Sequence, residues 1–260
     1  MLNRREGKPY YMISSLARGL RMIELLAENG QLTASESARM MGSSRSVAHR
    51  FLATLHKLGY VRQDERARYA LSMKLFELGS RVINHSEIFT TARPFMQRLV
   101  QSHGETVSLS ILDGQDMVII DTLTGRKLFN YHSTVGSRTS ASSHAMGKVI
   151  LAFRNREDQE VYADAVHLDS CLPCTTNDSG AFLSELDGIR RDGYATDDEK
   201  WAVGIRCVAA PVFNHTNEPA YSIGVFGPTN RMTSVVISKL SFDLIQSCRV
   251  ISKKLGSSRD

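Results

Sequence analysis

Apolar residues recur at helical spacing through the first third of the chain and alternate with polar ones through much of the remainder. Leu16, Leu20, Ile23 and Leu26 or Ala27 form one face of a helix that Ser14 or Ser15 caps and Asn29 and Gly30 end. Leu32, Ala34, Ala38 and Met41 give the next helix a buried side, with Thr33 as its N-cap and Gly42 closing it in a left-handed conformation. Ser43 or Ser44 caps a third helix whose inward stripe reads Val47, Phe51, Leu55 and Leu58. Gly59 stops that helix, and Tyr60–Arg62 and Tyr69–Leu71 read as two strands around a turn bearing Arg66 and Arg68. Leu75, Leu78 and Val82 then predict a connecting helix over 72–84.

Beyond residue 85 the periods mix. A helix is expected around Thr91–Ser102 with Pro94 in its first turn, followed by strands at Glu105–Leu112, Met117–Leu123 and Lys127–His132. An Asp113-Gly114 turn joins the first two. A Gly/Ser/Thr-rich loop, Gly136 to Ser143, leads into a helix at His144–Phe153. Helices at Arg156–Ala165 and Gly180–Asp192, strands at Cys207–Asn214 and Ala220–Phe226, and a long helix from Thr233 to Leu255 complete the pattern. The class is α+β, and a sheet flanked by helices suits a small-molecule sensing domain. The expected organisation is a flexible basic arm (1–13), a winged helix-turn-helix (14–71), a linker helix (72–84) and a larger domain (85–260).

The third helix leaves Arg45, Ser46, His49 and Arg50 facing out. Two short helices, a tight glycine turn and a charged hairpin are the parts of a winged helix-turn-helix, which lays one helix in the DNA major groove. Arg45, Ser46, His49 and Arg50 are therefore the candidates for bases and phosphates, with Thr33, Ser43 and Ser44 at the helix starts and Arg66 and Arg68 on the wing. The charge distribution agrees. Residues 1–84 carry 14 Lys and Arg against 7 Asp and Glu, whereas the remainder carries 18 against 20.

With 42% hydrophobic and 23% charged residues, the composition is ordinary for a globular chain. No apolar run approaches the length of about 18 residues that a membrane span needs, and no signal-peptide core follows the basic start, so a cytoplasmic protein is expected. Cys171, Cys174, Cys207 and Cys248 do not make a disulfide framework. Cys171 and Cys174 form a C-x-x-C that is either a redox pair, half a zinc site, or two loop thiols beside Pro173. Nothing nearby completes a metal site, and no metal or cofactor is expected.

Taken together, LARGLRMIELL, SRSVAHRFLATLHKLGYV, RYALS, GETVSLSILDG, GSRTSASSHAMGKVILA, GYATDDEKWAVGIRCVAAPVF and SIGVFGP, in this order from Leu16 to Gly256, resemble the isocitrate-lyase-regulator (IclR) family of bacterial transcription factors. The resemblance implies an N-terminal winged helix, a linker helix and a C-terminal effector domain related to GAF and PAS sensors. It also implies homodimers or dimers of dimers on palindromic operators. Carried over from the family pattern, the effector pocket comprises Leu128, Tyr131, Thr139, Ala145, Met146, Asp197, Ile205, Cys207, Gly224 and Phe226.

Backbone N–H groups near Ala145 and Met146 would suit an effector carboxylate. Cys207 either lines the pocket or is a buried core thiol, and Asp197 either meets an effector hydroxyl, closes the pocket mouth or is one charge of a solvated run. Arg138 and Lys148 either pair with the effector or are surface charges. Two departures stand out: the loop lacks the family's Pro near Ser140, and Gly224 and Phe226 replace serines found in sensors of small polar acids. A ring beside a glycine makes a flat slot, walled by Tyr131 and Met146, which suits a partly apolar or aromatic organic acid.

Two function classes follow. The first is a ligand-responsive regulator of catabolic genes whose partners are double-stranded operator DNA, a small organic acid and a second copy of itself; RNA polymerase is left open as a further partner, and no membrane is involved. The second is an enzyme of small organic acids carrying a fused DNA-binding head. G-x-S-x-G, H-E-x-x-H, P-loop and G-x-G-x-x-G motifs are absent from the sequence. A Cys207–His144 nucleophile and base would lack a third orienting group, so no catalytic residue is expected.

Overall fold

In the computed structural model, which describes residues 12–84, 86–127, 133–165, 178–200 and 202–259, the chain folds as two units, Met1–His85 and Ser86–Asp260. The first unit contains α1 (Ser14–Asn29), β1 (Gln31–Leu32), α2 (Ala34–Met40), α3 (Arg45–Lys57), β2 (Val61–Gln63), β3 (Tyr69–Leu71) and α4 (Met73–Asn84). Helix α1 packs inward only with its second half. Met22, Leu25 and Leu26 are buried, while Leu16 and Leu20 are 59% and 53% exposed, contrary to the expected stripe.

The stripe of α3 is also rotated from its expected position. Ala48, Leu52 and Leu55 are buried, Val47 and Phe51 lie at the margin, and Leu58 is exposed. Size misled the pattern, because Ala48 is small and yet fully buried. Glycine ends α2 as expected, with Gly42 at φ +60°. The wing gains a strand that sequence periodicity missed. Two-residue β1 pairs with β3 (Gln31↔Ala70, Leu32↔Tyr69), giving a three-stranded antiparallel sheet in the order β1-β3-β2.

The second unit contains α5 (Glu87–His103), β4 (Thr106–Asp113), β5 (Asp116–Leu123), β6 (Arg138–Ser140), α6 (Ala145–Leu151), α7 (Arg156–Ala165), α8 (Ser179–Asp192), β7 (Ala195–Asp198), β8 (Ile205–Phe213), β9 (Pro219–Pro228) and α9 (Ser234–Lys254). Its six strands pair antiparallel in the order β6-β5-β4-β9-β8-β7. Alternation along the strands divides two cores. Val208, Ala210, Ile223 and Val225 pack with α5 and α9. Cys207, Ala209 and Phe226 pack on the other face with α6, α7 and α8.

Helix α5 begins at Glu87, so Pro94 lies inside it and not in its first turn. Most of the strand expected at Lys127–His132 falls on 128–132, outside the described residues. Short β6 forms instead within the Ser/Thr-rich loop, and β7 was not anticipated.

One buried carboxylate ties three segments together. Glu105 is 2% exposed. It accepts two hydrogen bonds from Arg231, both at 2.7 Å, and one from Lys127 at 2.8 Å. Burial raises its carboxyl pKa, but these bonds outweigh the desolvation and hold it below the ordinary carboxylate value. Among the described residues, no helix is long and apolar enough to cross a membrane.

Candidate functional site

Chemistry concentrates in two places, one in each unit. In the first, the Ser44 hydroxyl caps α3 by accepting the Val47 N–H at 3.3 Å, and the first turn of α3 carries no acidic residue. Arg45, Ser46, His49 and Arg50 follow, all exposed. Among the described residues no carboxylate pairs with Arg45, Arg50 or Arg66. Unpaired guanidinium groups beside the positive end of a helix dipole make a surface ready for phosphate. The Ser43 hydroxyl is buried and has no partner among the described residues.

Two candidates from the sequence serve the fold instead. The Thr33 N–H and hydroxyl donate to Glu36 at 2.7 and 2.9 Å, and the Glu36 N–H returns to the Thr33 hydroxyl at 3.2 Å, a complete capping box. Arg68 donates to the Gln31 carbonyl at 3.0 Å and lies 3.6 Å from Glu36, so it braces β1 and α2. Arg66 stays exposed at the wing tip, where Asp64 accepts the N–H groups of Arg66 and Arg68 at 2.9 and 2.8 Å.

In the second unit, strand register builds the candidate pocket. Asp197 on β7 stands opposite Cys207 on β8, which stands opposite Phe226 on β9. The start of α6 lies against this row. Asp197 is 3% exposed, which settles its alternatives against a solvated charge. One of its oxygens accepts the Ala145 N–H at 2.6 Å. The other, Oδ1, is buried with no partner among the described residues.

His144 caps α6. Its Nδ1 accepts the Met146 N–H at 3.1 Å, which places the ring proton on Nε2. The N–H groups of Ala145 and Met146 are thus both engaged, and neither is open to an effector carboxylate.

Met146 covers the glycine slot rather than walling it. A Cβ built on Gly224 would come within 2.6 Å of the Met146 Sδ and 3.3 Å of the Cys207 Sγ. The Ser222 hydroxyl donates to the Met146 carbonyl at 2.9 Å and meets the Ser110 hydroxyl at 2.8 Å, fixing α6 on the sheet. Phe226 is buried with its ring centroid 5.6 Å from that of His144. Ile205 is half-buried beside the same core. Thr139 stands on β6, at the opposite end of the strand order from Asp197. Leu128, Tyr131, Cys171 and Cys174 lie outside the described residues.

Arg138 and Lys148 are already paired. Arg138 bonds Asp113 and Asp116 at 2.8 and 3.1 Å. Lys148 is 5% exposed, not a surface charge. It reaches both Glu185 oxygens at 3.1 and 3.2 Å, and Lys200 joins the same carboxylate at 3.1 Å. Burial raises the Glu185 pKa, but the two ammonium groups outweigh this and hold it below the ordinary value.

The Cys207–His144 pair is not poised as nucleophile and base. Burial, more than the nearby Asp197, pushes the Cys207 thiol well above its ordinary pKa, so it stays protonated. Burial and Lys148 lower the His144 pKa against the opposing pull of Asp197, leaving a neutral ring. Asp197 does approach His144 Nδ1, the third group that sequence reasoning did not find, but at 3.9 Å from a nitrogen already used as an acceptor. No group of three or more His, Cys, Asp or Glu suited to a metal occurs among the described residues.

Comparison with known proteins covers most of the chain, 93–95% of it in the relative and structures below. The sequence profile for the bacterial transcriptional regulator IclR C-terminal domain matches residues 80–253, and that for the IclR helix-turn-helix domain matches residues 15–65. The HTH-type transcriptional regulator KdgR of Escherichia coli is 30% identical over 245 residues, covering 94% of this chain and 93% of the relative. The crystal structure of the Thermotoga maritima IclR protein superposes with a TM-score of 0.80 at 30% identity, covering 95% of this chain and all of that one. An IclR homolog from Microbacterium hydrocarbonoxydans, complexed with 4-hydroxybenzoate, shares the fold at TM-score 0.79 and 21% identity over 93% of this chain and 98% of its own.

Proposed function

The chain belongs to the IclR family of bacterial transcriptional regulators, and on that premise we propose that Asp197, Phe226 and Met146 recognise a hydroxylated, partly aromatic organic acid that controls operator binding. The buried Asp197 Oδ1 carries the reading. A carboxylate oxygen only accepts, and left unmatched in a dry site it costs about 1–3 kcal/mol or more. An effector hydroxyl supplies the missing donor. Met146, unbranched and flexible, moves off Gly224 to admit the ring, which then lies against Phe226. Cys207 and Ile205 complete the lining.

The comparison of 4-hydroxybenzoate with benzoate tests this. Calorimetry on the full chain should show the hydroxylated acid binding at least tenfold more tightly, as expected when one hydrogen bond to a charged group is made or lost. Equal affinity, or binding of neither, removes Asp197 Oδ1 from recognition.

On the DNA side, Ser44, Arg45, Ser46, His49, Arg50 and Arg66 are assigned to operator contact, with Thr33 and Arg68 holding the turn and wing in place; Ser43, its hydroxyl buried and its N–H bonded to the Ala38 carbonyl, belongs to the turn. Exposed Leu16 and Leu20 on α1 and Phe76 on α4 support self-association of the reading heads. A dimer touching about ten phosphates gives a log–log salt slope of about −9. The reading is of a cytoplasmic regulator of catabolic genes, not an enzyme. Its head (14–71), with the basic arm (1–13), answers through a linker helix (72–84) to the sensor (85–260). Regulators among the relatives and the protonated, buried Cys207 both favour this over an enzyme with a DNA-binding head.

A further inference from the structure

Strand β8 outruns its edge partner. β7 covers it only from Arg206 to Ala209, so Ala210–Phe213 continues past the end of the pairing. There a cavity of about 260 Å³ opens between the end of α8, this strand segment and α9. Four arginines line it: Arg190 and Arg191 from α8, Arg249 from α9, and Arg259 from the chain end. Its single lining carboxylate, Asp192, sits 3.3 Å from Arg191. Among the described residues, Arg190, Arg249 and Arg259 have no carboxylate partner.

Elsewhere in this unit, by contrast, Arg138, Arg206 and Arg231 each meet a carboxylate within 3.1 Å. The guanidinium of Arg259 lies 4.5 Å from the Phe213 ring centroid and 5.0 Å from that of Phe153, with Arg190 at 6.0 Å from Phe153, so the two rings confine its charge. The two rings meet edge to face at 5.3 Å. Cation–π contact uses none of the N–H donors of the guanidinium and leaves them for a ligand. Like charges gathered in a partly closed cleft repel, and an anion placed among them converts repulsion into paired, charge-assisted hydrogen bonds. The polarity is opposite to that around Asp197, which asks for a donor.

We propose that this cleft is a second ligand site, taking a small molecule with two or more carboxylate or phosphate groups and clamping α8 to α9 across the sheet edge. The volume lies just below the range of about 300–1,000 Å³ typical of drug-sized ligands, as suits a compact polyanion. Citrate and pyrophosphate, titrated separately into the full chain at constant ionic strength, probe the carboxylate and phosphate sources.

The expected result is saturable binding of at least one of them, one per chain, with a rise in the unfolding temperature. Arg259→Gln and Arg190→Gln should each weaken it tenfold or more. Arg98→Gln, an exposed arginine that also stacks on a phenylalanine (Phe95), should leave it unchanged. Arg259→Lys keeps the charge but not the planar fork, and should lose most of the affinity if the geometry matters. Absence of saturable binding by both anions, or equal weakening in Arg98→Gln, overturns the proposal. Displacement of the bound anion by 4-hydroxybenzoate would merge the two sites and overturn it as well.

Discussion

Helices α3 and α6 both start from a polar cap and both carry cations, yet they stand in opposite surroundings. Helix α3 has 13 residues, buries one side and turns Arg45, His49 and Arg50 to solvent. Helix α6 has 7 residues, and every one is buried. On α3 an arginine without a partner is unremarked by the fold, because water solvates it at little cost. On α6 every polar atom must be matched from within, so Lys148 is bound by Glu185 and His144 by a backbone N–H. The same observation, a missing partner, therefore weighs differently in the two places. At Arg45 it marks an available surface, and at Asp197 Oδ1 it marks an unmatched buried acceptor, the basis of the ligand role proposed for it.

The sharpest way to break this contrast is to crowd α6. A Cβ on Gly147 would lie 2.2 Å from the Ala141 carbonyl oxygen and 2.5 Å from its Cα. Overpacking costs about 1–3 kcal/mol where side chains give way, and here the neighbour is backbone. Gly147→Val should therefore leave the second unit unfolded in urea titrations where the wild type is folded, and a stability loss below about 1 kcal/mol would show that α6 is not locked.

Next, Leu52→Ala on α3 should cost about 2–5 kcal/mol in denaturant unfolding. Phe51→Ala, at the half-buried margin, should cost about 1–2 kcal/mol. The reverse order would restore the unrotated stripe. Arg45→Ala and Arg50→Ala should each weaken operator binding by about 1–3 kcal/mol in fluorescence anisotropy while stability stays within about 0.5 kcal/mol. A comparable loss of folded protein would mean that these side chains serve the core.

The smallest effect is a pH slope. The His144 pKa is lowered in the folded state from its ordinary 6.5, so below that value the unfolded chain takes up a proton that the folded one refuses. Stability should fall as pH drops from 6.5 towards 5, by up to about 1.4 kcal/mol per unit. His144→Asn keeps an N-cap acceptor and should flatten that slope. The Glu105 contribution is lost only as pH falls below the ordinary 4.5, outside this window.

The contrast between these helices also explains what could be read from sequence. The outward face of α3 was legible because an amphipathic helix writes its orientation into a 3.6-residue period, although the phase slipped where Ala48 replaced a larger residue. Helix α6 has no such period, and only the Gly/Ser/Thr-rich loop before it and the resemblance marked its start. Strand β7 was missed because Ala-Thr-Asp-Asp looks like a turn, and it places a carboxylate at a core position. Strands β8 and β9 were found as apolar runs, but burial on both faces hid which residues point at α6. The pairing of Lys148 with Glu185 joins positions far apart in the chain, which no local pattern encodes. The pocket grouping came from the resemblance, and strand register accounts for Asp197, Cys207 and Phe226, whereas Thr139 belongs to the far edge.

The row Asp197, Cys207 and Phe226 has a consequence for how such a receptor diversifies. A slip of one residue in any of the three strands would turn its side chain to the opposite face, so sliding the sheet cannot tune the proposed pocket. Change is confined to substitution at fixed lattice points. Each point lies on its own strand, so the ring at 226 can be exchanged without shifting the carboxylate at 197. If this row lines the effector site as proposed, new ligand preferences are reachable by single heritable steps, each leaving the scaffold and the DNA-reading head intact.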